Sequence, residues 1–194
     1  MAAKINDNKG NGGGERQTYT ISAFSENHIG LLNRITIIFT RRHVNIESLT
    51  VSGSAIPGIH KFTIVVNDTR QKVENVVSQI EKLVEVLRAF YHTEEEVIHQ
   101  EIALYKVPTQ ALVEGNRLEN TIRLHHAHIL EVRPEYTVIE LTGHKEETQA
   151  LFDELNKYGL LQFTRSGRIA VTRSSKEHFT AYMHEAGDNT VEYA

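Results

Sequence analysis

The sequence predicts an α+β fold built from two tandem ferredoxin-like βαββαβ units. The order strand, helix, strand, strand, helix, strand can be read from residue 17 to residue 93, and it returns from 94 to 173 with different residues. A chain of 194 residues also has room for two small domains at roughly 100 residues each. In each unit an antiparallel sheet would carry both helices on one face.

Residues 1–16 hold Gly10, Gly12, Gly13 and Gly14 among polar neighbours and are expected to form a disordered leader. The first strand is placed at Gln17 to Phe24. A helix follows from Gly30 to His43, with Leu31, Leu32, Ile35, Ile38 and Phe39 on one stripe and Arg41-Arg42 at its wet end. The next strand, Asn45 to Ala55, has Glu47 as its one charge and no Lys or Pro, so as an edge strand it is open to pairing with a second copy. Pro57-Gly58 and Asn67-Asp68 bracket the β-branched strand around His60 to Asn67. Behind a cap at Asp68 or Thr69, the residues Val73, Val76, Val77, Ile80, Leu83 and Val84 predict a helix over 69–83, and a strand to His92 closes the unit.

The boundary is placed at 93–96, where Glu94-Glu95-Glu96 either separates two bodies or caps a strand, there being no Pro or Gly linker. The second unit, 94–173, is read as a strand at Val97 to Val107 and a helix near Ala111 to His125. Strands at Ile129 to Val132 and Tyr136 to Leu141, a helix at Lys145 to Tyr158, and strands at Leu160 to Thr164 and Arg168 to Thr172 complete it. Residues 174–194 form a tail in which Phe179, Tyr182 and Met183 share helical spacing.

Composition narrows the function. With 40% apolar and 24% charged residues and no apolar run near the ~20 residues that span a bilayer, no membrane partner is expected. A net charge of −4 argues against nucleic acid. The absence of cysteine and of a secretory apolar segment fits a cytoplasmic protein. The sequence offers no poised nucleophile, acid–base pair or metal set, and His125-His126-Ala127-His128 lacks the spacing of a ligand group.

The segment Ser25 to Leu49 carries the most chemistry. A polar turn and Gly30 precede an amphipathic helix, so free N–H groups at the positive end of the helix dipole can receive a carboxylate or phosphate. The segment also has a family signature, in Asn27 and Gly30, then Leu32, Arg34 and Ile35, then Asn45, Ile46, Ser48 and Leu49. It resembles the amino-terminal ACT domain of acetolactate (acetohydroxyacid) synthase regulatory subunits. The resemblance runs from about residue 17 to 173 and includes Glu101-Ile102-Ala103-Leu104-Tyr105-Lys106-Val107. It also takes in Thr164-Arg165-Ser166-Gly167-Arg168-Ile169-Ala170, similar to that family's closing hairpin. Gln100 stands where the family usually has arginine, and Arg173-Ser174 where arginine-glycine is common.

The resemblance implies a non-catalytic, homodimeric regulatory subunit that binds a branched-chain amino acid, typically valine, between paired ACT domains. It implies activation and feedback inhibition of a catalytic large subunit. Thiamine diphosphate, magnesium and FAD are expected only in that partner and no cofactor in this chain. The ligand is placed on Asn27, His28, Ile29, Gly30, Leu31, Leu32 and Asn45. The residue types suit a zwitterion: the Ile29, Gly30 and Leu31 amides would face its carboxylate, and the carbonyl oxygens of Asn27 and Asn45 its ammonium. A stand-alone ACT-type amino-acid sensor is the alternative, although no helix-turn-helix or basic cluster lies outside the two units.

Overall fold

The computed structural model describes residues 14–113 and 117–175. The first unit comprises β1 (Arg16–Glu26), α1 (Leu31–Arg41), β2 (Ser48–Gly53), β3 (Ile59–Thr69), α2 (Arg70–Ile80) and β4 (Val86–Thr93). Its strands form an antiparallel sheet in the order β2-β3-β1-β4. After a single 3-10 turn at Glu94–Glu96 come β5 (Val97–Pro108), α3 (Gln110–Val113), α4 (Arg117–Leu124), β6 (His128–Val132), β7 (Tyr136–Gly143), α5 (Lys145–Leu155), β8 (Gln162–Arg165) and β9 (Ile169–Thr172). The second sheet runs β6-β7-β5-β8, with β9 also on β5. The predicted strand–helix order thus occurs twice, each time with the same strand permutation. The helix expected over 111–125 is present as α3 and α4, and residues 114–116 between them lie outside the described residues.

Alternation within each strand builds the two cores. Tyr19, Ile21 and Ala23 of β1 and Phe62, Ile64 and Val66 of β3 point to the helix side. There they meet Leu31, Ile35 and Phe39 of α1 and Val73, Val76 and Ile80 of α2, all buried. The second core gathers Ala103, Tyr105, Val107, Ile139, Leu151 and Leu155 in the same way. Tyr105 keeps its buried hydroxyl satisfied by donating to the Thr148 carbonyl at 2.6 Å, and burial pushes its pKa up to about 12. At the start of α2 the cap residue is Thr69, and the buried Asp68 carboxylate accepts the Thr69 N–H at 2.8 Å while Lys72 pairs with it at 3.2 Å.

Three expectations change. Arg16 pairs with Thr69 in β1, so the sheet starts inside the segment read as a leader; residues 1–13 lie outside the described residues. The second strand starts at Ser48 rather than Asn45, because His43 takes a left-handed φ of 53° and Val44 turns into the core before pairing resumes. The segment Thr164 to Ala170 is not a hairpin. Both β8 and β9 run antiparallel to β5, with Arg165 opposite Ala103 and Ile169 opposite Gln100, so three residues, Ser166, Gly167 and Arg168, face two on β5. This is a β-bulge in one continuous edge. Ser166 holds it in place by accepting the Ile102 N–H on its hydroxyl at 2.9 Å and donating its own N–H to the Ile102 carbonyl at 2.8 Å.

The bulge joins the two units. It lies on the face of the first sheet that the helices leave uncovered, where Thr20, Ser22 and Thr63 are buried although polar. Arg168 donates its backbone N–H to Ser48 Oγ at 3.1 Å, and its guanidinium reaches Thr20 Oγ1 at 3.1 Å and Glu94 Oε1 at 2.5 Å. Glu94 also contacts His99 Nε2 at 3.2 Å, and the His99 ring stands edge-on to His144 at 4.7 Å. Burial, with the Arg168 charge beside it, holds the His99 imidazole below its ordinary range. Burial alone would raise the Glu94 carboxyl, but the Arg168 hydrogen bond and charge, helped by His99, outweigh it and hold the group below the usual carboxylate range.

Gly167 sits so close to β2 that a Cβ there would penetrate Thr50 Oγ1 and lie 2.9 Å from Ser48 Oγ. Gly167→Ala should therefore destabilise the protein by about 1–3 kcal/mol. Gly167→Ala/Thr50→Ala should recover part of that loss in denaturant unfolding.

Candidate functional site

The turn between β1 and α1 is the most exposed feature of the first unit: residues 26–30 all face solvent, and Ile29 is 98% exposed. Gly30 is the N-cap of α1 with φ 84° and ψ −4°, a left-handed conformation that costs other residues about 1–2 kcal/mol. That conformation turns the chain from the end of β1 into α1. Space plays no part in the requirement, since a Cβ at Gly30 would meet nothing within 4 Å.

Each expected residue has a definite place. Asn27 donates its backbone N–H to Gly58 at 3.1 Å, which ties the turn to the start of β3. His28 lies exposed with Nδ1 3.2 Å from the Ile29 carbonyl. Among the described residues the Ile29 and Gly30 N–H groups have no recorded partner and remain available to an anion. Leu31 departs from the expectation: its N–H already donates to the His28 carbonyl at 3.2 Å, and its side chain is buried in the core. Leu32, 46% exposed, is on the outer side of the same first helical turn.

Asn45 is not beside them. Ser48 is level with Val65 and so with Thr20, which puts Asn45 at the start of β1, whereas the turn follows Glu26 at its end. The separation is roughly 30 Å, at ~3.3 Å per strand residue. Asn45 is exposed in the loop before β2 and donates its side-chain amide to Glu47 at 2.8 Å. Within one chain, then, the turn and Asn45 stand at opposite ends of the sheet.

The turn also has a charged neighbour that no linear pattern announced. Glu85 accepts the Glu26 N–H on its backbone carbonyl at 2.9 Å, and its carboxylate pairs with Arg34 of α1 at 2.6 Å. Arg34 lies four residues past Gly30 while Glu85 immediately precedes β4, so their pairing is a product of the fold. The Arg34 hydrogen bond, then the Glu85 backbone N–H, hold the Glu85 carboxyl below its ordinary value against the effect of burial. Elsewhere, His125 contacts Glu154 of α5 at 3.5 Å, His126 takes a left-handed φ of 55°, and His128 begins β6. No three His, Asp or Glu side chains among the described residues gather in a metal-holding group.

Comparison with known proteins decides the family. Residues 21–88 match the AHAS small subunit-like ACT domain, and residues 100–174 match the model for the small subunit of acetolactate synthase. The probable acetolactate synthase small subunit of Archaeoglobus fulgidus is 33% identical over 159 residues, 82% of this chain and 99% of that protein. The chain belongs to the acetolactate synthase small-subunit family. The Mycolicibacterium smegmatis acetolactate synthase small subunit is 32% identical over 82% of this chain and 93% of its own length. The crystal structure of the small subunit from Thermotoga maritima superposes with a TM-score of 0.74 at 26% identity, covering 82% of this chain and 99% of that one. The tandem ferredoxin-like reading and the ACT assignment both hold.

The Arg34–Glu85 pair has a sign in pH. A carboxyl whose folded pKa is depressed adds stability above its unfolded value, about 4.3, and that stability is lost as pH falls through the lower folded value. Glu85→Gln should flatten the acid limb of a melting-temperature profile. An unchanged profile would show that the pair contributes nothing.

Proposed function

We propose that this chain is the non-catalytic regulatory subunit of an acetolactate synthase, and that it binds valine at an interface between two ACT units. The observation that carries this reading is the exposed turn at Asn27 to Gly30, with Gly30 left-handed and the Ile29 and Gly30 amides without a partner among the described residues, set on a family-matched ACT sheet whose edge strand β2 pairs only with β3 among those residues. The amides suit the carboxylate of an amino acid. The Asn27 and Asn45 carbonyl oxygens suit its ammonium.

Edge pairing accounts for the distance between the two halves. If β2 of one copy runs antiparallel to β2 of another about a two-fold axis, the start of one strand lies beside the end of the other. Gly53 at the end of β2 is level with His60 and Ser25, the same end of the sheet as the turn. Asn45 of one protomer then approaches the turn of its partner, and an uncharged β2 of Ser48-Leu49-Thr50-Val51-Ser52-Gly53 opposes no such contact.

Regulation follows by linkage. Valine controls turnover only if it binds two states of the small–large subunit complex with different affinity, so the catalytic subunit must in turn alter valine affinity. Selectivity among branched aliphatic side chains would be slight, because a methylene is worth about 1–3 kcal/mol. Thiamine diphosphate, magnesium and FAD are assigned to the catalytic partner.

Calorimetry with valine on wild type and Gly30→Asp tests the site: binding should vanish in the variant while sedimentation still shows a dimer. Mixing with a cognate catalytic subunit tests the role. Turnover should rise on mixing and become valine-sensitive; if neither changes, the regulatory reading fails.

A further inference from the structure

A cavity of about 1020 Å³ lies between the two units, lined by β2 and β3 of the first sheet, by β5, by the start of α5 and by the bulge. Four cationic and four acidic side chains line it beside two histidines, so its charges balance. Four of its lining residues each hold a buried polar atom without a hydrogen-bond partner among the described residues: His99 Nδ1, Glu101 Oε2, Arg165 Nε and Arg168 Nε. Native interiors leave few such atoms, and here they gather around one cavity.

Two of the four accept and two donate. His99 Nε2 lies 3.2 Å from the Glu94 carboxylate, which can only accept, so Nε2 holds the ring proton and Nδ1 is an acceptor. Glu101 is 8% exposed, and its Oε2 lies 3.7 Å from Arg165 Nε, close enough to attract but too far for a hydrogen bond. A molecule entering between that carboxylate and guanidinium therefore breaks no hydrogen bond between them.

We propose that this cavity binds a small neutral amino acid whose side chain ends in a carboxamide. Its ammonium meets Glu101. Its carboxylate meets Arg165 and the first amides of α5, at Lys145 and Glu146, which precede that helix's first bond, from the Thr148 N–H to the His144 carbonyl at 3.0 Å. The carboxamide N–H meets His99 Nδ1 and its oxygen meets Arg168 Nε, on two side chains that already hold opposite oxygens of Glu94. His99 lies two residues from Glu101 on the same side of β5, about 7 Å, close to the span from the ammonium to the carboxamide of glutamine.

The balanced lining suits a zwitterion with an uncharged side chain, whereas a phosphate or a dicarboxylate would set further negative charge against Glu101. The cavity is apart from the turn at Asn27 to Gly30: it opens beside Thr18 and Asn67, at the start of β1, and the turn follows that strand's end. An occupant touches β2 at Ser48 and Leu49 as well as the bulge, and so braces the two units against each other.

Titration of glutamine into the full-length, methyl-labelled protein tests the site. Methyl resonances of Leu49, Val65 and Val97, which line the cavity, should shift saturably below about 10 mM, while those of Leu130 and Val132 on the far edge strand stay in place. Glutamate, which has no amide N–H for His99, should bind about tenfold more weakly, and Glu101→Gln should weaken glutamine binding by about as much. The Gly30→Asp chain should bind glutamine as the wild type does. No saturable shift in the wild-type chain would overturn the proposal. Equal affinity for glutamate would do the same, as would shifts centred on Leu32 that vanish in Gly30→Asp, or a folded Glu101→Gln chain that binds as tightly as the wild type.

Discussion

Arg168 holds the molecule's two halves in one arrangement. Its guanidinium is tied to Thr20 in the first sheet and to Glu94 in the connection, and its backbone N–H is tied to Ser48 on the edge strand. The apolar side chains between the units, Phe24 and Val97 among them, attract without direction and give no reason for one angle over another. A mostly buried cation with directional donors supplies that reason, because it can be satisfied in few geometries. The bulge at Ser166–Arg168 is the local price of presenting it, one extra residue that pushes Gly167 against Thr50 and turns Arg168 toward the neighbouring sheet.

The same junction bears on the proposed effector site. Ser48 and Thr50, which the bulge touches, belong to β2, the strand whose outer edge is assigned to pairing between copies. One face of β2 thus meets the second unit while its outer edge pairs with no other strand among the described residues. A shift of β2 on ligand binding would be felt first at Arg168. The Glu94 and His99 contacts sit at that point, so charged groups converge where the chain passes between the units.

Much of the fold was legible because it is local. Period-two and period-3.6 patterns placed every strand and helix to within a few residues, and Pro57-Gly58 and Asn67-Asp68 marked the borders of β3. The turn at Asn27 to Gly30 was legible for a similar reason: polar residues, a glycine and an apolar stripe in succession have few other readings. Misreadings occurred where a residue's role depends on something distant. Leu31, in the core as its stripe predicts, spends on His28 the amide expected to face a ligand; Asn45 precedes rather than begins a strand; and Thr164 to Ala170, read as a hairpin from its family resemblance, continues along β5. A resemblance between short segments cannot separate a turn from a bulge, since both use a small residue to break register.

By itself, the sequence determined the two βαββαβ units, the helix-start turn with Gly30, and the family signature, because each is written in neighbouring residues whose spacing has a direct physical meaning. Tertiary structure alone decided that Arg34 pairs with Glu85, that Arg168 bridges to Thr20 and Glu94, and that Asn45 lies about 30 Å of strand from the turn it was grouped with. Those facts depend on strand order and on which sheet face is covered. Neither quantity has a period, and both are settled only when the sheets close over their cores and the remaining polar groups must find partners.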